Sequence, residues 1–360
     1  MNIYLRSLAT ANPSMYVTGQ AALAGLADCY AMAPAERELY ERLLLAGPVR
    51  GRYVGLDHPR DAAQTDPDDL NGRFHRFGRQ IASAAARRAL EAAGVAAGDV
   101  AVLVTNTCTG YLCPGMSSYL AEDLGLNESV GVFDLMGMGC GGALPNLQCA
   151  AGALARRGDG PVLCVAFEVC SATLFMGSQP DLVVSNALFG DGAAAAVVAA
   201  GADGPLGPVR LVDFESGLFV RHREALRYRI EGGRLRNVLT RRVPAIGART
   251  GAAVVDRLLA RHRLRREEIS HWAVHAGGTT VLERVGDQLG LSRHALRHAY
   301  AVLRDYGNMS SPSVLFVLRR LLDEDRPAAG EHGVLLSFGA GFTAFAALVE
   351  FTGARASPTP

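Results

Sequence analysis

A Gly-rich turn that runs into an apolar segment occurs twice in this chain, and this repetition constrains the fold more than any other feature. Phe189–Gly192 (Phe-Gly-Asp-Gly) leads into residues 193–198, and Phe338–Gly341 (Phe-Gly-Ala-Gly) leads into residues 342–349. Two further pairs recur at nearly one common spacing: Gly139-Cys140 with Gly307-Asn308, and Cys108 with His275. One glycine-rich match could arise by chance, but three related pairs predict a duplicated unit.

Short apolar runs alternate with Ala-rich segments in the first part of the chain. The runs Val100–Thr105, Gly131–Leu135 and Val162–Ala166 are typical of buried parallel strands. Asn71–Ala93 and Ala143–Arg156 have helical composition. The alternation predicts a layered α/β fold in which helices cover the sheets.

The strongest break in composition, residues 201–208 (GADGPLGP), marks the join between the two halves. We predict an N-terminal half, residues 1–200, and a C-terminal half, residues 209–351. Residues 352–360 are predicted to form a disordered tail.

Charge and residue usage exclude several classes of protein. The 36 basic and 35 acidic residues leave a formal net charge of +1, so no overall field attracts nucleic acid or an anionic membrane. All 36 basic residues are arginine, and the lack of lysine excludes Schiff-base enzymes and P-loop nucleotide binding. Seven cysteines without a Cys-x-x-Cys pair predict neither a disulfide framework nor a zinc ribbon.

Two segments bear on location. Residues 1–13 lack the apolar core of a secretory signal. Residues 333–351 are nearly all apolar, but Gly339 and Gly341 interrupt them, so we predict two buried strands joined by a turn rather than a membrane span. We therefore expect a cytoplasmic protein that contacts neither membrane nor nucleic acid.

Cys140 is the candidate nucleophile. It lies between Gly139 and Gly141-Gly142, and a helical segment follows. The glycines allow a tight strand-to-helix turn, and a thiol at a helix N-terminus has a lowered pKa that favours the thiolate. The alternative is a small buried cysteine, but packing alone does not require glycine on both sides.

His275 and Asn308 are the candidate polar partners. His275 follows the apolar run 269–274, at the carboxyl end of a predicted strand where active sites gather. A histidine there can accept a thiol proton, pair with a thiolate or donate to an oxyanion. Asn308 could help to hold an oxyanion, or it could cap the helix that continues through Val314–Leu322.

Two other polar patterns predict no site. His294 and His298 are four residues apart, but no acidic or thiol partner accompanies them, so we predict no metal site. The basic run from Arg221 to Arg242, around Glu231-Gly-Gly233, predicts a hairpin with one solvated face.

Four ordered motifs together resemble the type III polyketide synthases, the chalcone and stilbene synthase family of the thiolase fold. The motifs are Cys140, Ala187–Ala196 (ALFGDGAAAA), His275–Gly278 (HAGG) and Tyr306–Ser311 (YGNMSS), with support from Ala9–Pro13 and Cys113–Gly115. The similarity spans nearly the whole chain. It implies a thiolase-like duplicated α/β core in five layers, with helices sandwiching two mixed sheets.

The resemblance also implies an activity. Cys140 would accept the acyl group of a coenzyme A thioester, while His275 and Asn308 would promote decarboxylation of malonyl-CoA and stabilise the enolate. The enolate would attack the acyl-Cys140 thioester, and repetition followed by cyclisation would give a pyrone or phenolic product. The family reaction implies no metal and no cofactor, with coenzyme A thioesters as substrates, and a homodimer.

Further site residues follow from the resemblance. Arg50 and Arg52 fall where the family uses cations for the coenzyme A phosphates, and Gly277 and Gly278 allow close passage of the pantetheine arm. Three residues are assigned to the substrate cavity: Cys113, where the family reaches across the dimer interface, Phe214 and Phe338. A second cavity phenylalanine is replaced near Asn237, which would alter the cavity mouth and could widen it for a bulkier or acyl-chain starter.

The end of the chain leaves alternatives open. Ser337–Phe342 (SFGAGF) departs from the Gly-Phe-Gly-Pro-Gly of the family and is closer to ketoacyl-acyl-carrier-protein synthase III, which makes one condensation and has a carrier-protein partner. An acyl-thioester hydrolase, in which water replaces the enolate, is an alternative from another class. Consumption of malonyl-CoA with release of carbon dioxide would separate the hydrolase from the condensing enzymes.

Overall fold

The structure is a computed structural model, and it describes residues 1–157, 160–201 and 206–354. The strands are β1 (Asn2–Ala11), β2 (Met15–Thr18), β3 (Gly51–Val54), β4 (Val102–Asn106), β5 (Gly131–Leu135), β6 (Val162–Glu168), β7 (Gly192–Gly201), β8 (Val209–Leu218), β9 (Leu226–Glu231), β10 (Arg234–Leu239), β11 (His271–Val274), β12 (His332–Gly339) and β13 (Thr343–Phe351). The helices are α1 (Gly19–Cys29), α2 (Pro34–Leu45), α3 (Pro67–Ala93), α4 (Met116–Leu124), α5 (Ala143–Arg157), α6 (Pro180–Leu188), α7 (Val243–Arg261), α8 (Thr279–Leu289), α9 (Arg297–Tyr306) and α10 (Ser313–Glu324).

Nine strands form one large mixed sheet in the order β11-β12-β13-β8-β1-β7-β6-β4-β5. The two mixed sheets implied by the resemblance are therefore joined edge to edge, where β1 pairs antiparallel with β8. Two small antiparallel pairs, β2 with β3 and β9 with β10, lie outside this sheet.

The sheet shows the duplication directly. From the join outwards, β1-β7-β6-β4 pair antiparallel, antiparallel and parallel. On the other side, β8-β13-β12-β11 repeat the same three pairings. Strand β5 extends the first half by one parallel strand. The predicted duplicated α/β unit is confirmed.

Helices fill the layers between and outside the half-sheets. Helix α5 contacts β4, β6 and also β13, and helix α10 contacts β11, β12 and also β1. Both helices therefore lie between the two half-sheets, in the largest cluster of buried apolar side chains. Helix α3 covers β1, β6 and β7 from outside, and α7 covers β8 and β13.

Local sequence explains the long helix α3. It begins at Pro67 rather than at the predicted Asn71, because the Asp66 side chain accepts from the backbone N–H groups of Asp68 and Asp69. It ends at Gly94, whose φ of +60° favours glycine. Sequence reasoning missed the cap because Asp66 lies among other polar residues.

The apolar segment near the end of the chain forms the antiparallel pair β12–β13, as predicted. Across the parts of the chain that the structure describes, no helix is long and apolar enough to cross a membrane. Thr352 donates from Oγ1 to the Gly207 carbonyl oxygen at 2.8 Å, next to the start of β8. Residues 202–205 of the predicted join and residues 355–360 of the predicted tail lie outside the described residues.

Candidate active site

Cys140 lies in a short helical turn, Gly139–Gly141, between β5 and α5. This turn packs closely on the β12–β13 turn of the other half. A Cβ on Gly139 would lie 2.9 Å from the Ala340 nitrogen, and a Cβ on Gly141 would lie 2.8 Å from the Phe345 ring. Gly139 also has a φ of +57°. The glycines on either side of the cysteine are therefore required by the contact between the two halves.

Asn308 follows α9 and forms a parallel bridge with Phe189. Its Oδ1 accepts from the Ser310 N–H at 2.8 Å, and its Nδ2 donates to the Gly277 carbonyl oxygen at 3.3 Å. The amide orientation is thereby fixed, and the second Nδ2–H is left for a ligand. Because α10 begins at Ser313, Asn308 does not cap it, and the capping alternative is wrong.

His275 follows β11 directly, and its backbone N–H donates to the Leu336 carbonyl oxygen at 2.8 Å. The side chain is 3% exposed, and Nδ1 has no hydrogen-bond partner among the described residues. Burial lowers the pKa of His275 to about 4, so the imidazole is neutral near pH 7. A neutral imidazole can accept a proton at one nitrogen and donate from the other.

Burial also sets the state of the Cys140 thiol. Burial raises the pKa of Cys140 to about 12; a hydrogen bond from Ser310 partly offsets this rise, and the charge of Glu168 adds to it. The predicted lowering of this pKa by the helix N-terminus is therefore wrong, because loss of solvent outweighs the dipole. The free thiol is protonated, so a base must take its proton before it can act as a nucleophile.

The three candidate residues converge on one site through short contacts. Ser310 lies close enough to Cys140 to act on the pKa of its thiol, and it lies two residues after Asn308. Asn308 in turn donates to the Gly277 carbonyl oxygen, and a Cβ on Gly277 would lie 3.2 Å from Nε2 of His275. The structure thus brings Cys140, Asn308 and His275 together from three segments of both halves.

Glu168, the last residue of β6, organises the side of this site that belongs to the first half. It is fully buried and accepts hydrogen bonds through both carboxylate oxygens. Its donors include Ser311 Oγ at 2.6 Å, Ser310 Oγ at 3.2 Å, Cys108 Sγ at 3.3 Å and the Cys108 N–H at 2.9 Å. Sequence analysis missed Glu168, although an acidic residue at the end of an entirely buried strand is a usable signal.

A cavity of about 740 Å³ lies next to the site. Gly277 and Gly278, which follow His275 closely in the chain, form part of its wall. Arg42 and Arg241 also line the cavity, together with the acidic residues Glu38 and Asp181. Sequence analysis did not select either arginine, because nothing in a chain of 36 arginines distinguishes them.

Neither of the arginines assigned from the sequence lines this cavity. Arg52 is 7% exposed and donates from Nη1 to the Ala187 carbonyl oxygen at 2.5 Å. Burial lowers its pKa to about 10. Arg52 therefore holds β3 against α6. Arg50 is exposed, and its backbone N–H donates to the Arg304 carbonyl oxygen at 2.8 Å.

The two phenylalanines that the sequence assigned to the substrate cavity lie instead in packed strands of the second half. Phe214 lies in β8 opposite Ala347, and its carbonyl oxygen accepts from Arg261 at 2.8 Å. Phe338 is 4% exposed and packs against α7, where a Cβ on Gly251 would lie 2.6 Å from its ring. The phenylalanine that the structure places at the site is Phe189, paired with Asn308.

Cys113 is exposed in the single chain. Gly115, two residues later, packs against Asp134 of the edge strand β5. That strand and its surroundings expose large apolar side chains: Tyr111, Val132, Phe133 and Met136. Exposed apolar patches of this kind mark interaction surfaces.

The structure also accounts for the remaining histidines and arginines singled out in the sequence. His298 shares a hydrogen bond of 2.9 Å with Asp325. Within residues 1–157, 160–201 and 206–354, no group of three His, Cys, Asp or Glu side chains is placed to hold a metal ion. The basic run forms the β9–β10 hairpin, as predicted.

Comparisons with known proteins agree with this geometry. Residues 223–351 match the family of chalcone and stilbene synthases, C-terminal domain, and residues 57–204 match the FAE1/type III polyketide synthase-like proteins. The chain is 36% identical over 316 residues to 3,5-dihydroxyphenylacetyl-CoA synthase from Amycolatopsis orientalis, covering 86% of this chain and 85% of the relative.

Two solved structures show the same fold. One is 1,3,6,8-tetrahydroxynaphthalene synthase from Streptomyces coelicolor A3(2), described as a bacterial type III polyketide synthase, with a TM-score of 0.88, 27% identity and coverage of 98% and 100% of the two chains. The other is CsyB complexed with CoA-SH, with a TM-score of 0.88, 26% identity and coverage of 97% and 100%. The relatives are polyketide synthases, which fits neither the ketoacyl synthase III-like alternative nor the hydrolase. The chain belongs to the type III polyketide synthase family.

Proposed function

We propose that this synthase condenses an acyl-CoA starter with malonyl-CoA through an acyl-Cys140 thioester and cyclises the product to a small aromatic or pyrone ring. The observation that carries the assignment of residues is the convergence of Cys140, His275 and Asn308 beside the cavity. Relatives named for phenolic products support the ring-forming step, and the relative solved with coenzyme A supports the thioester substrates.

The first step is transfer of the starter. His275, neutral in the free protein, takes the proton from Cys140 Sγ, which attacks the thioester carbonyl of the starter. The bond from that carbonyl to the coenzyme A sulfur breaks, and the imidazolium returns the proton to the departing thiolate. The site is left neutral with an acyl group on Cys140.

The second step is decarboxylation and condensation. Malonyl-CoA loses carbon dioxide, and the electron pair of the broken bond forms the enolate of acetyl-CoA. The enolate oxygen accepts hydrogen bonds from an imidazole N–H of His275 and from Nδ2 of Asn308. The enolate carbon attacks the acyl carbonyl, and the carbon–sulfur bond to Cys140 breaks. Since decarboxylation supplies the carbanion, we propose that the reaction uses no metal or other cofactor.

We also propose how the protein binds coenzyme A and which surface joins two copies of the chain. Arg42 and Arg241 would meet the phosphates of coenzyme A at the cavity, while Gly277 and Gly278 admit the pantetheine arm. The exposed apolar side chains around β5 and Cys113 would be covered by a second copy of the chain in a homodimer.

The test is incubation of the purified protein with radiolabelled malonyl-CoA and a panel of acyl-CoA starters, without a carrier protein. We expect release of carbon dioxide and cyclic products built from several malonyl units, identified by mass spectrometry. A single linear β-ketoacyl product, or free acid with no loss of carbon dioxide, would contradict the proposal.

A further inference from the structure

One face of the β9–β10 hairpin covers the catalytic cluster. In an antiparallel pair, directly opposite residues lie on the same face, and so does every second residue along each strand. Tyr228 is opposite Asn237, and Leu239 lies two residues further along β10. Leu239 lines the large cavity, and Asn237 is 6% exposed. Tyr228 therefore lies on the face that is turned towards the site.

The hairpin is fastened in this position by charged side chains. Arg236, on the opposite face of β10, is almost fully buried, donates to the Gln179 side chain and pairs with Asp181 of α6 at 3.2 Å. The guanidinium of Arg234 lies 4.0 Å from the centre of the Phe175 ring. These contacts hold the hairpin against the segment that follows Glu168, so the place of the Tyr228 ring is fixed.

The Tyr228 phenol reaches the interior of the site. It lies close to the side chain of Thr173, and its electrostatic neighbours include Cys108, Cys170 and Glu168. The Thr173 hydroxyl donates to the Cys170 carbonyl oxygen at 2.9 Å, which leaves its oxygen to accept from the phenol. Burial raises the pKa of Tyr228 well above 10, so the phenol stays neutral.

The same residues surround Cys140. Cys108 and Cys140 interact electrostatically, and Glu168 acts on both thiols. Tyr228 and Cys140 therefore have Cys108 and Glu168 as common neighbours. From the sequence, Asn237 predicted a wider cavity mouth. In the structure, Tyr228 on the paired strand β9 lies directly opposite Asn237 and fills the space beside it.

We propose that Tyr228 limits the size of the acyl group that Cys140 can carry, so that the starter is a short acyl group of two or three carbons. This inference rests on the proposed function and names its substrate class. Tyr228 is a specificity-determining residue: its ring excludes long-chain and aromatic starters by volume, and Thr173 keeps the ring in place.

A second cavity indicates where a longer chain would go without this ring. It measures about 230 Å³ and is lined mainly by apolar side chains of α1 and of the segment after Glu168. Cys170 lines this cavity and is also a neighbour of Tyr228 and Cys140. Removing the Tyr228 ring would join the catalytic site to apolar space beside Cys170.

The test compares kcat/KM for acetyl-CoA, octanoyl-CoA and benzoyl-CoA as starters at fixed malonyl-CoA. Tyr228→Ala is expected to raise the octanoyl-to-acetyl ratio by at least about tenfold, since pocket volume discriminates at this level. Tyr228→Phe keeps the ring and is the matched control, with a ratio within about twofold of the unchanged protein. Tyr228→Leu, an intermediate size, gives a second measurement if the alanine variant does not fold.

The outcomes separate this inference from the proposed function. Equal ratios in the unchanged protein and in the folded alanine or leucine variant would overturn the role of Tyr228, and so would octanoyl-CoA being used by the unchanged protein as well as acetyl-CoA. Failure of the unchanged protein to condense malonyl-CoA with any starter would contradict the proposed function instead.

Discussion

Cys108 and His275 occupy equivalent places in the two halves, just after β4 and β11, yet their surroundings differ. The Cys108 thiol contacts Glu168 Oε1 at 3.3 Å and Ser310 Oγ at 3.2 Å. The Nδ1 of His275 has no partner among the described residues. Duplication fixed the two places, but the neighbouring side chains decide that one is held inside a network and the other is free to meet a ligand.

The two halves also differ in the charges that surround these side chains. In the first half, burial raises the pKa of Cys108 and of Cys140. The charge of the buried Glu168 carboxylate raises both pKa values further. The second half has only burial acting on His275, which lowers its pKa. Both effects leave neutral groups, and His275 and Asn308 of the second half can donate to an enolate oxygen. We therefore expect the acyl group to be carried by the first half and decarboxylation to depend on the second.

The largest effect is expected from Cys140→Ala. Product formation should fall by more than about a thousandfold because the proposed carrier of the acyl chain is lost. Decarboxylation of malonyl-CoA should persist, since His275 and Asn308 are intact. Cys149→Ala, on α5 and outside the site, is the control. Substantial product from the Cys140 variant, measured by mass spectrometry, would contradict the division between the halves.

Asn308→Ala should give the reverse pattern. Release of labelled carbon dioxide is expected to fall by about a hundredfold because one donor to the enolate oxygen is lost. Loading of Cys140 by a starter, followed as the mass of the intact protein, should change by only about threefold. Equal losses in both assays would show that Asn308 supports the whole site rather than the enolate.

The neutral state of His275 predicts how stability depends on pH. Its pKa is about 4 in the folded protein and 6.5 as its ordinary value, so between these values the unfolded chain binds a proton that the folded chain does not. Stability is therefore full above pH 6.5 and falls as the pH drops towards 4, by up to roughly 3 kcal/mol.

His275→Gln removes this titration. The free energy of unfolding, measured with urea at pH 7 and pH 4.5, should fall less in this variant than in the unchanged protein. His294→Gln, at an exposed position, serves as the control and should follow the unchanged protein. Identical pH dependence for His275→Gln would mean that the imidazole is not buried in the neutral form.

The smallest effect is expected at Glu168, the residue that distinguishes the first half. Its charge contributes to the raised pKa of Cys140, so Glu168→Gln should lower that pKa. Alkylation of Cys140 by iodoacetamide at pH 8 should be faster by about two- to threefold. Peptide mass spectrometry identifies the modified cysteine, and the surface variant Glu267→Gln is the control. A slower reaction would mean that Glu168 acts mainly by positioning Ser310.

Local pattern was enough to predict the residues that converge on the site. Glycines around Cys140 and the position of His275 at a strand end are visible over a few residues, because close backbone contact and strand ends impose them. The duplicated sheet was predicted for a similar reason, since each half repeats the same order of strand and turn.

The remaining features depend on distant contacts that no local pattern contains. Tyr228 reaches the site only because the hairpin register sets it opposite Asn237. Phe214 and Phe189 cannot be told apart by composition, and only the sheet shows that Phe189 borders Asn308. Burial of Cys140, which outweighs the helix dipole, results from packing by both halves.

The contact beneath Cys140 has a consequence for biosynthesis. A Cβ on Gly339 would lie 1.9 Å from the Met138 carbonyl oxygen, and Ser337 Oγ donates to the Gly141 carbonyl oxygen at 3.3 Å. The turn that holds the nucleophile thus rests on strands made among the last residues of the chain. On the ribosome, Cys140 emerges long before its support, so a nascent or truncated chain has no assembled thiol site to acylate. We therefore expect reactivity at Cys140 only after β12 and β13 have been made.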